Sequence, residues 1–442
     1  MLRYEAIFIF QAYALNAFLH ASATNAMSVE SSSRREILGR TMTSAFGGIV
    51  SSSTGWTIAP SDAAAAAAST ATDTNAGNLK DPAFSSYQIF PDASAKLDPS
   101  LGQITPSDLN QILAMTNTDR GKGGGGGTIW LGEHHNSAKD HLLQADFVRS
   151  IHEQRQTKKN TGNNNMSVGL EMIQVQFQPA LDAYISKKIS ADEMKSRVEW
   201  DKRWSWSFDN YLPVFETCRE LNIPLIALNV DSEDLGLVEV GGFPNLPRDK
   251  LRKYIIDPAG FAQFASYPYY KTYVDYVISP SYDLHQSMGI LRTTITGVQL
   301  EEDMSFTRFF SGRILWDEGM ASNAYKWTKA NEGGLMIGLV GADHVKFEGG
   351  ITGRYRRLAK EDQQLDCISV VLNPTLIDTR PSGSVNMATN LASAASKSGM
   401  DGLSLQLRYL KRGVAAGSPE SRESVNTGGV LALADYIVVS KS

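Results

Sequence analysis

The sequence predicts an α/β protein, with a central, mostly parallel sheet, helices on both faces and a helical lid insertion. Three observations predict it. Short apolar runs that read as buried strands alternate with longer helical patterns, starting β-α-β. Two of those runs end in matching signatures, Gly132-Glu133-His134-His135 and Gly341-Ala342-Asp343-His344. No repeat of roughly 20 to 50 residues is evident, which disfavours a solenoid or propeller.

The N-terminal part stands apart from that domain. Residues 1–25 read as a signal peptide: the apolar stretch Ile7 to Leu19 is followed by Ala21-Ser22-Ala23, a small-x-small cleavage pattern. The stretch is too short to span a bilayer, which takes about 20 apolar residues. Residues 26–75 read as a second address. Ser33-Arg34-Arg35-Glu36-Ile37-Leu38 resembles a twin-arginine export signal and leads into the alanines Ala63 to Ala68. Two addresses resemble the plastid transit of thylakoid-lumen proteins in algae with complex plastids; otherwise the chain is expected to be secreted or to enter another organelle lumen. A single signal followed by a low-complexity linker is the alternative.

Residues 76–125 are expected to be a linker with one short helix after Ile104-Thr105-Pro106-Ser107. Gly123 to Gly127 forms a flexible loop without the Lys-Ser/Thr of a phosphate loop. The α/β domain is expected over 126–373. It opens with a strand at Thr128 to Leu131, a helix at Ala138 to Arg155, a polar linker at Lys158 to Asn165 and a strand at Ser167 to Glu171. Helical patterns around Pro179 to Ile189 and Phe208 to Glu220 precede a third strand, Pro224 to Asn229. Residues 243–300, rich in Tyr and Pro, read as the lid; a long helix from Ser305 to Lys329 then leads into the strand Leu335 to Val340. Cys367 to Leu372 is a late strand, residues 374–425 read as a low-complexity insertion, and 426–442 supply the final strand at Tyr436 to Val439.

Charge and cysteines exclude some functions. The 442-residue chain carries a net charge of -5, and removing residues 1–70 deletes four basic and four acidic groups, so the balance survives in the mature chain. No nucleic-acid partner is expected from it. One basic stripe, Arg354, Arg356, Arg357 and Lys360, reads as a solvated face that propionates or phosphates could meet. Cys218 and Cys367 form no CxxC or CxxCH, so neither a thiolate metal site nor covalent haem attachment is supported. They read as two buried thiols, with a single disulfide as the alternative. No stretch has the apolar length of a transmembrane helix.

The chemistry collects at strand ends. Glu133, His134 and His135 follow the first strand, Glu171 closes the second, Asn229 and Asp231 follow the third, and Asp343 and His344 the fourth. Loops leaving the carboxyl ends of parallel strands form the ligand crevice of such sheets, so these groups face one site. Imidazole and carboxylate suit Zn, Mn, Fe or Co, and three of them would leave an open position for water or substrate. Strand alternation points Glu133 and His135 to one side and His134 to the other. Each residue also has a bland reading, because His and Glu after a strand cap helices and tie down loops.

Trp130 to His135, Gly169-Leu170-Glu171-Met172 and Leu339 to Val345, with Trp200 to Tyr211, Arg313 to Ala321, Phe347 to Gly353 and Ala434-Asp435-Tyr436, together resemble the ChaN-like branch of the haem-binding uptake, Tiki superfamily. The resemblance covers about residues 126 to 360 and the last strand. It implies an EreA/ChaN-like sandwich and two functional readings. In the first, the chain handles haem or a related tetrapyrrole: tyrosine or histidine ligates iron, aromatics clasp the macrocycle and basic groups meet its propionates. Tyr211, Tyr355, Trp204 and Arg203 stand near the matching motifs. In the second, a metal-dependent hydrolase, His135, His344 and Glu171 or Glu133 hold a divalent transition metal, and the remaining glutamate, Glu133 in particular, acts as general base. A homodimer is compatible with either. The chain departs from the bacterial pattern in lacking an evident lipobox cysteine and in its long insertions.

Overall fold

The computed structural model describes residues 84–91, 100–114, 126–157, 165–362, 365–379, 403, 405–410 and 428–441. The expected signal and transit segments lie outside them. The described strands are β1 (Phe84–Phe90), β2 (Ser100–Ile104), β3 (Gly126–Glu133), β4 (Met166–Gln174), β5 (Leu225–Asn229), β6 (Leu335–Gly341), β7 (Leu365–Leu372), β8 (Gln406–Leu410), β9 (Gly428–Ala432) and β10 (Tyr436–Ser440). Eight of them form one sheet in the order β2-β1-β10-β7-β3-β6-β4-β5, and β8 pairs with β9 apart from it. From β10 to β5 every pairing is parallel, whereas β1 runs antiparallel to both of its neighbours.

Every residue of β3, β4 and β6 is buried. That is the expected consequence of a parallel sheet covered on both faces, and it explains why these strands read as unbroken apolar runs. Ile129, Leu131, Val168, Leu170, Ile337 and Leu339 point to one face, into a core shared with α1 (Pro106–Leu113), α2 (Ala138–Thr157), α3 (Gln178–Ile185), α4 (Ala191–Arg197), α5 (Trp200–Arg203) and α6 (Phe208–Glu220). Trp130, Met336, Val340 and Val371 point to the other. There they meet α7 (Ser232–Gly241), α8 (Arg248–Tyr254), α9 (Pro258–Phe264), α10 (Tyr270–Tyr273), α12 (Phe306–Ala330) and α13 (Ile351–Leu358), while α11 (Ser279–Ser287) follows α10 through a π-helical turn. The stretch 243–300 is thus helical, and its Tyr-rich part is buried: Tyr254, Tyr270 and Tyr273 are core residues of the second face. Ser305 accepts the Arg308 amide and caps α12, starting that helix where its sequence signal lies.

Two stretches differ from the sequence reading. The expected linker at 76–125 contains β1 and β2, which extend the sheet at its edge; short edge strands with polar residues, such as the buried Ser86 that donates to the Ile104 carbonyl at 2.8 Å, lack an apolar run to betray them. The expected insertion at 374–425 contains β8, whose Leu407 packs with Leu405, Leu431 and Leu433 against the second face. β10, at the end of the chain, lies inside the sheet, between β1 and β7.

The connectivity sets where a ligand crevice forms. β3 and β6 are neighbours. The chain leaving β3 passes through α2 on the first face towards β4, and the chain leaving β6 passes through α13 on the second face towards β7. The two connections diverge to opposite sides, which opens a crevice beyond the carboxyl ends of this pair. Among the described residues no helix is long and apolar enough to cross a membrane.

Candidate functional site

Both Gly-x-x-His signatures meet at this switch point. Register pairs Glu133 at the end of β3 with Gly341 at the end of β6. β4 flanks β6 on the other side, and Glu171 there accepts the Gly341 amide at 2.6 Å. Glu133, Glu171 and His344 are buried, while the His135 side chain is 23 % exposed.

Two imidazole–carboxylate units result. In the first, Glu133 Oε1 accepts from His135 Nδ1 at 2.9 Å and from the Tyr211 hydroxyl at 2.7 Å, and Oε2 accepts from the Gln144 amide at 2.6 Å, with His141 Nδ1 3.4 Å away. His141 Nε2 lies 3.1 Å from the His135 carbonyl. Trp204 meets the His135 ring edge-on at 5.0 Å, and the exposed Trp206 stands 5.8 Å from it. Among the described residues the only hydrogen bond of the His135 ring is through Nδ1, which leaves Nε2 without a partner. Burial opposes protonation of His135, but its bond to Glu133 and the charge of Glu171 outweigh burial and raise its pKa.

In the second unit His344 spends both nitrogens: Nε2 lies 3.0 Å from Glu171 Oε1 and Nδ1 2.5 Å from Asp317 Oδ1. Asp317 also accepts from the Tyr273 hydroxyl at 3.2 Å. Burial and the nearby Arg313 disfavour the imidazolium, yet Glu171 and Asp317 prevail and raise the His344 pKa to about 9. Burial likewise opposes ionisation of Glu171, but His344, His135 and the Gly341 amide hold its pKa at about 2. A charged pair at neutral pH follows.

His134 turns away into a separate network. Its ring bridges Asp140 at 3.0 Å and Asp378 at 3.1 Å, and Asp378 also meets Lys346 at 2.8 Å. Burial works against the charge, but the two carboxylates raise the His134 pKa to about 10. This network ties the β3 loop to the turn after β7. Asn229 donates to the Glu171 carbonyl at 2.7 Å, which braces β4, whereas Asp231 faces Lys253 and Tyr254.

The expected metal set does not form an open donor group. Among the described residues no three His, Cys, Asp or Glu side chains are placed to hold a metal ion. The reason is local: the carboxylate oxygens of Glu133 and Glu171 and both nitrogens of His344 are already committed to one another and to their supports. The expected haem contacts also fall elsewhere. Tyr211 is fully buried and orients Glu133; Tyr355 is fully buried in the second-face core, bonded to Thr328 at 2.8 Å; Arg203 is paired with Glu199 and Glu233 and stacks over Phe177. The three arginines of the basic stripe are paired as well: Arg354 and Arg357 meet the buried Glu318, and Arg356 meets Glu348 and Asp435. Both cysteines are free thiols.

Sequence reasoning gave no site role to Asp317, Arg313, His141 or Gln144, although Arg313 and Asp317 fall within the Arg313 to Ala321 run that carries the family resemblance. Each lies on a helix, where no strand end marks it; the available signal was polar spacing, Arg313 and Asp317 being four residues apart on α12 and His141 and Gln144 three apart on α2.

Fold and site together define an α/β protein whose sheet switch point is lined by coupled imidazole and carboxylate groups. The family described as haem-binding uptake, Tiki superfamily, ChaN matches residues 125–354, more than half of the chain. The chain belongs to that family. Solved structures similar to it include ChaN of Campylobacter jejuni, described with cofacial haem binding, at 16% identity and a TM-score of 0.45 over 81% of this chain and 98% of that one. A mutant of the erythromycin esterase EreC in its open conformation gives 12% identity and a TM-score of 0.35 over 80% and 97%. A succinoglycan biosynthesis protein gives 11% and 0.34 over 80% and 94%. No curated protein sequence matches the chain.

Proposed function

We propose that this protein binds haem or a related tetrapyrrole in the crevice beyond β3, β4 and β6, with His135 as the imidazole that reaches the ligand. The observation that carries this reading is the state of His135. Its Nδ1 is held by Glu133, its Nε2 has no partner among the described residues, and Trp204 and Trp206 stand beside the ring. Metal-ligating histidines have this form, one nitrogen on a carboxylate that fixes the tautomer and raises basicity, the other free. A single imidazole would fit haem, because the macrocycle already brings four nitrogen donors to its iron; a bare divalent ion needs three or four protein donors, and the described residues do not group them. Bound haem would supply the redox and ligand chemistry of its iron. The chain's own part is to orient: Tyr211 and Gln144 hold Glu133, and Glu133 holds His135.

A second reading, hydrolysis of an ester or amide, draws on the same pair. A carboxylate on Nδ1 and an open Nε2 also describe a general base within reach of a water. One experiment separates the two. Purified protein titrated with haem is expected to develop a Soret band saturating near one equivalent, reduced in His135→Ala while the thermal midpoint is kept. No Soret change in the wild type, together with ester cleavage lost in His135→Ala, would overturn the tetrapyrrole reading in favour of the hydrolase.

A further inference from the structure

α12 carries Phe309, Arg313 and Trp316 at spacings of four and three, which is one helical face, and all three side chains are half-buried there. The Arg313 side chain donates no hydrogen bond among the described residues. Its Nε is buried without a partner, its side chain is 16 % exposed, and its nearest carboxylate, Asp343 Oδ2, stands 3.7 Å off. The other Asp343 oxygen is taken by Lys346 at 2.6 Å. Trp316 Nε1 is buried and unpartnered as well. A buried donor left unmade keeps the desolvation cost of its burial with no bond to offset it. The remaining cations around the crevice are committed, Lys346 to Asp343 and Asp378 and Arg203 to Glu199 and Glu233.

The surroundings of these donors are aromatic. His285 of α11 lies against Phe309 at 5.2 Å and within electrostatic reach of Arg313 and Asp343, and Trp316 stands 6.0 Å from His344. Arg313 feels Asp317, Asp343 and Glu171. It is therefore a cation beside the second imidazole–carboxylate unit whose guanidinium meets Asp343 only at 3.7 Å and donates no side-chain hydrogen bond among the described residues. A planar guanidinium pairs with a carboxylate through two parallel N–H bonds, and aromatic side chains on either side suit a flat, apolar body.

We propose that Arg313, between Phe309 and Trp316, receives a carboxylate of a planar aromatic ligand, so that the crevice selects carboxylated macrocycles over neutral ones. This rests on the tetrapyrrole reading above and names the ligand group that the site recognises. Arg313 takes the role that the sequence suggested for Arg203.

The test titrates the full chain with haem and with haem dimethyl ester, which lacks the free carboxylates, and reads the Soret band for wild type, Arg313→Gln and Arg313→Lys. Wild type is expected to bind haem about tenfold tighter than the ester, the scale of one charge-assisted pair. Arg313→Gln removes that preference by weakening haem and leaving the ester unchanged, and Arg313→Lys, which keeps charge without the fork, restores part of it. Equal wild-type affinity for the two ligands overturns the proposal without recourse to any variant, and so does an Arg313→Gln protein that weakens both ligands alike, the result expected if Arg313 only balances Asp317 and Asp343. If neither ligand shifts the Soret band, the tetrapyrrole reading fails and this proposal with it; if both bind equally, only this proposal fails.

Discussion

His344 and Glu171 form a buried charged pair at the sheet switch point, and each shifts the other's titration. Glu171 falls from 4.5 to about 2, so its contribution to stability is complete above about pH 4.5 and lost as pH falls through 2. His344 rises from 6.5 to about 9, so its contribution is complete below about pH 6.5 and lost as pH rises through 9. Both are whole only between those limits. Urea unfolding followed across pH is expected to show its highest midpoint there, with a decline on each side. Asp317→Asn removes one support of His344 and should lower the plateau by about 3 kcal/mol, the cost of breaking a buried pair, and complete the alkaline decline at lower pH, since the folded pKa falls while the decline still begins at the unfolded one. A midpoint that keeps rising from pH 6.5 to 9 in the wild type would contradict the charged pair.

Glycine decides the geometry at the scale of the elements. β6 ends at Gly341, whose φ of -59° any residue adopts, so backbone freedom is not its reason. Space is the reason: a Cβ there would stand 2.8 Å from His135 Nε2. β6 thereby lets the ring from β3 lie across its end. Gly341→Ala is expected to keep the fold but displace His135, lowering haem affinity about tenfold or more, the range seen when a ligand's supporting shell is disturbed, with little change in thermal midpoint. Unaltered haem binding in that variant would show that the ring position does not matter. Gly338 acts similarly three residues earlier and on the opposite face, since a Cβ there would lie 2.2 Å from the Trp130 ring; the indole on the neighbouring strand needs that gap. Such contacts cross between strands far apart in sequence, so no reading of one strand reveals them.

The whole sheet depends on the last segment of the chain. β10 pairs with β7 on one side and β1 on the other, and Ile437 and Val438 bury into the cores of opposite faces. Truncation before Gly428 removes the strand that joins the edge pair to the parallel body. A chain so shortened is expected to lose cooperative thermal unfolding instead of only its last turn, as calorimetry would register; a truncated chain with an unchanged transition would mean that β10 is dispensable.

The α/β class, the order of the parallel strands' segments and the strand-end placement of Glu133, His135, Glu171 and His344 were legible in the sequence, because buried parallel strands are written as local apolar runs and the polar residue that ends each run is local too. Pairing was not. That Tyr211 serves Glu133, that Asp317 holds His344 and that the Arg313 Nε is left without a partner depends on helices meeting strands many residues away. The edge strands β1 and β2 also escaped, since half-polar edges carry no apolar run. Local patterning determined where chemistry-bearing residues sit along the chain; only tertiary packing decided which of their hydrogen-bonding groups are consumed within the protein, and so which remain for a ligand.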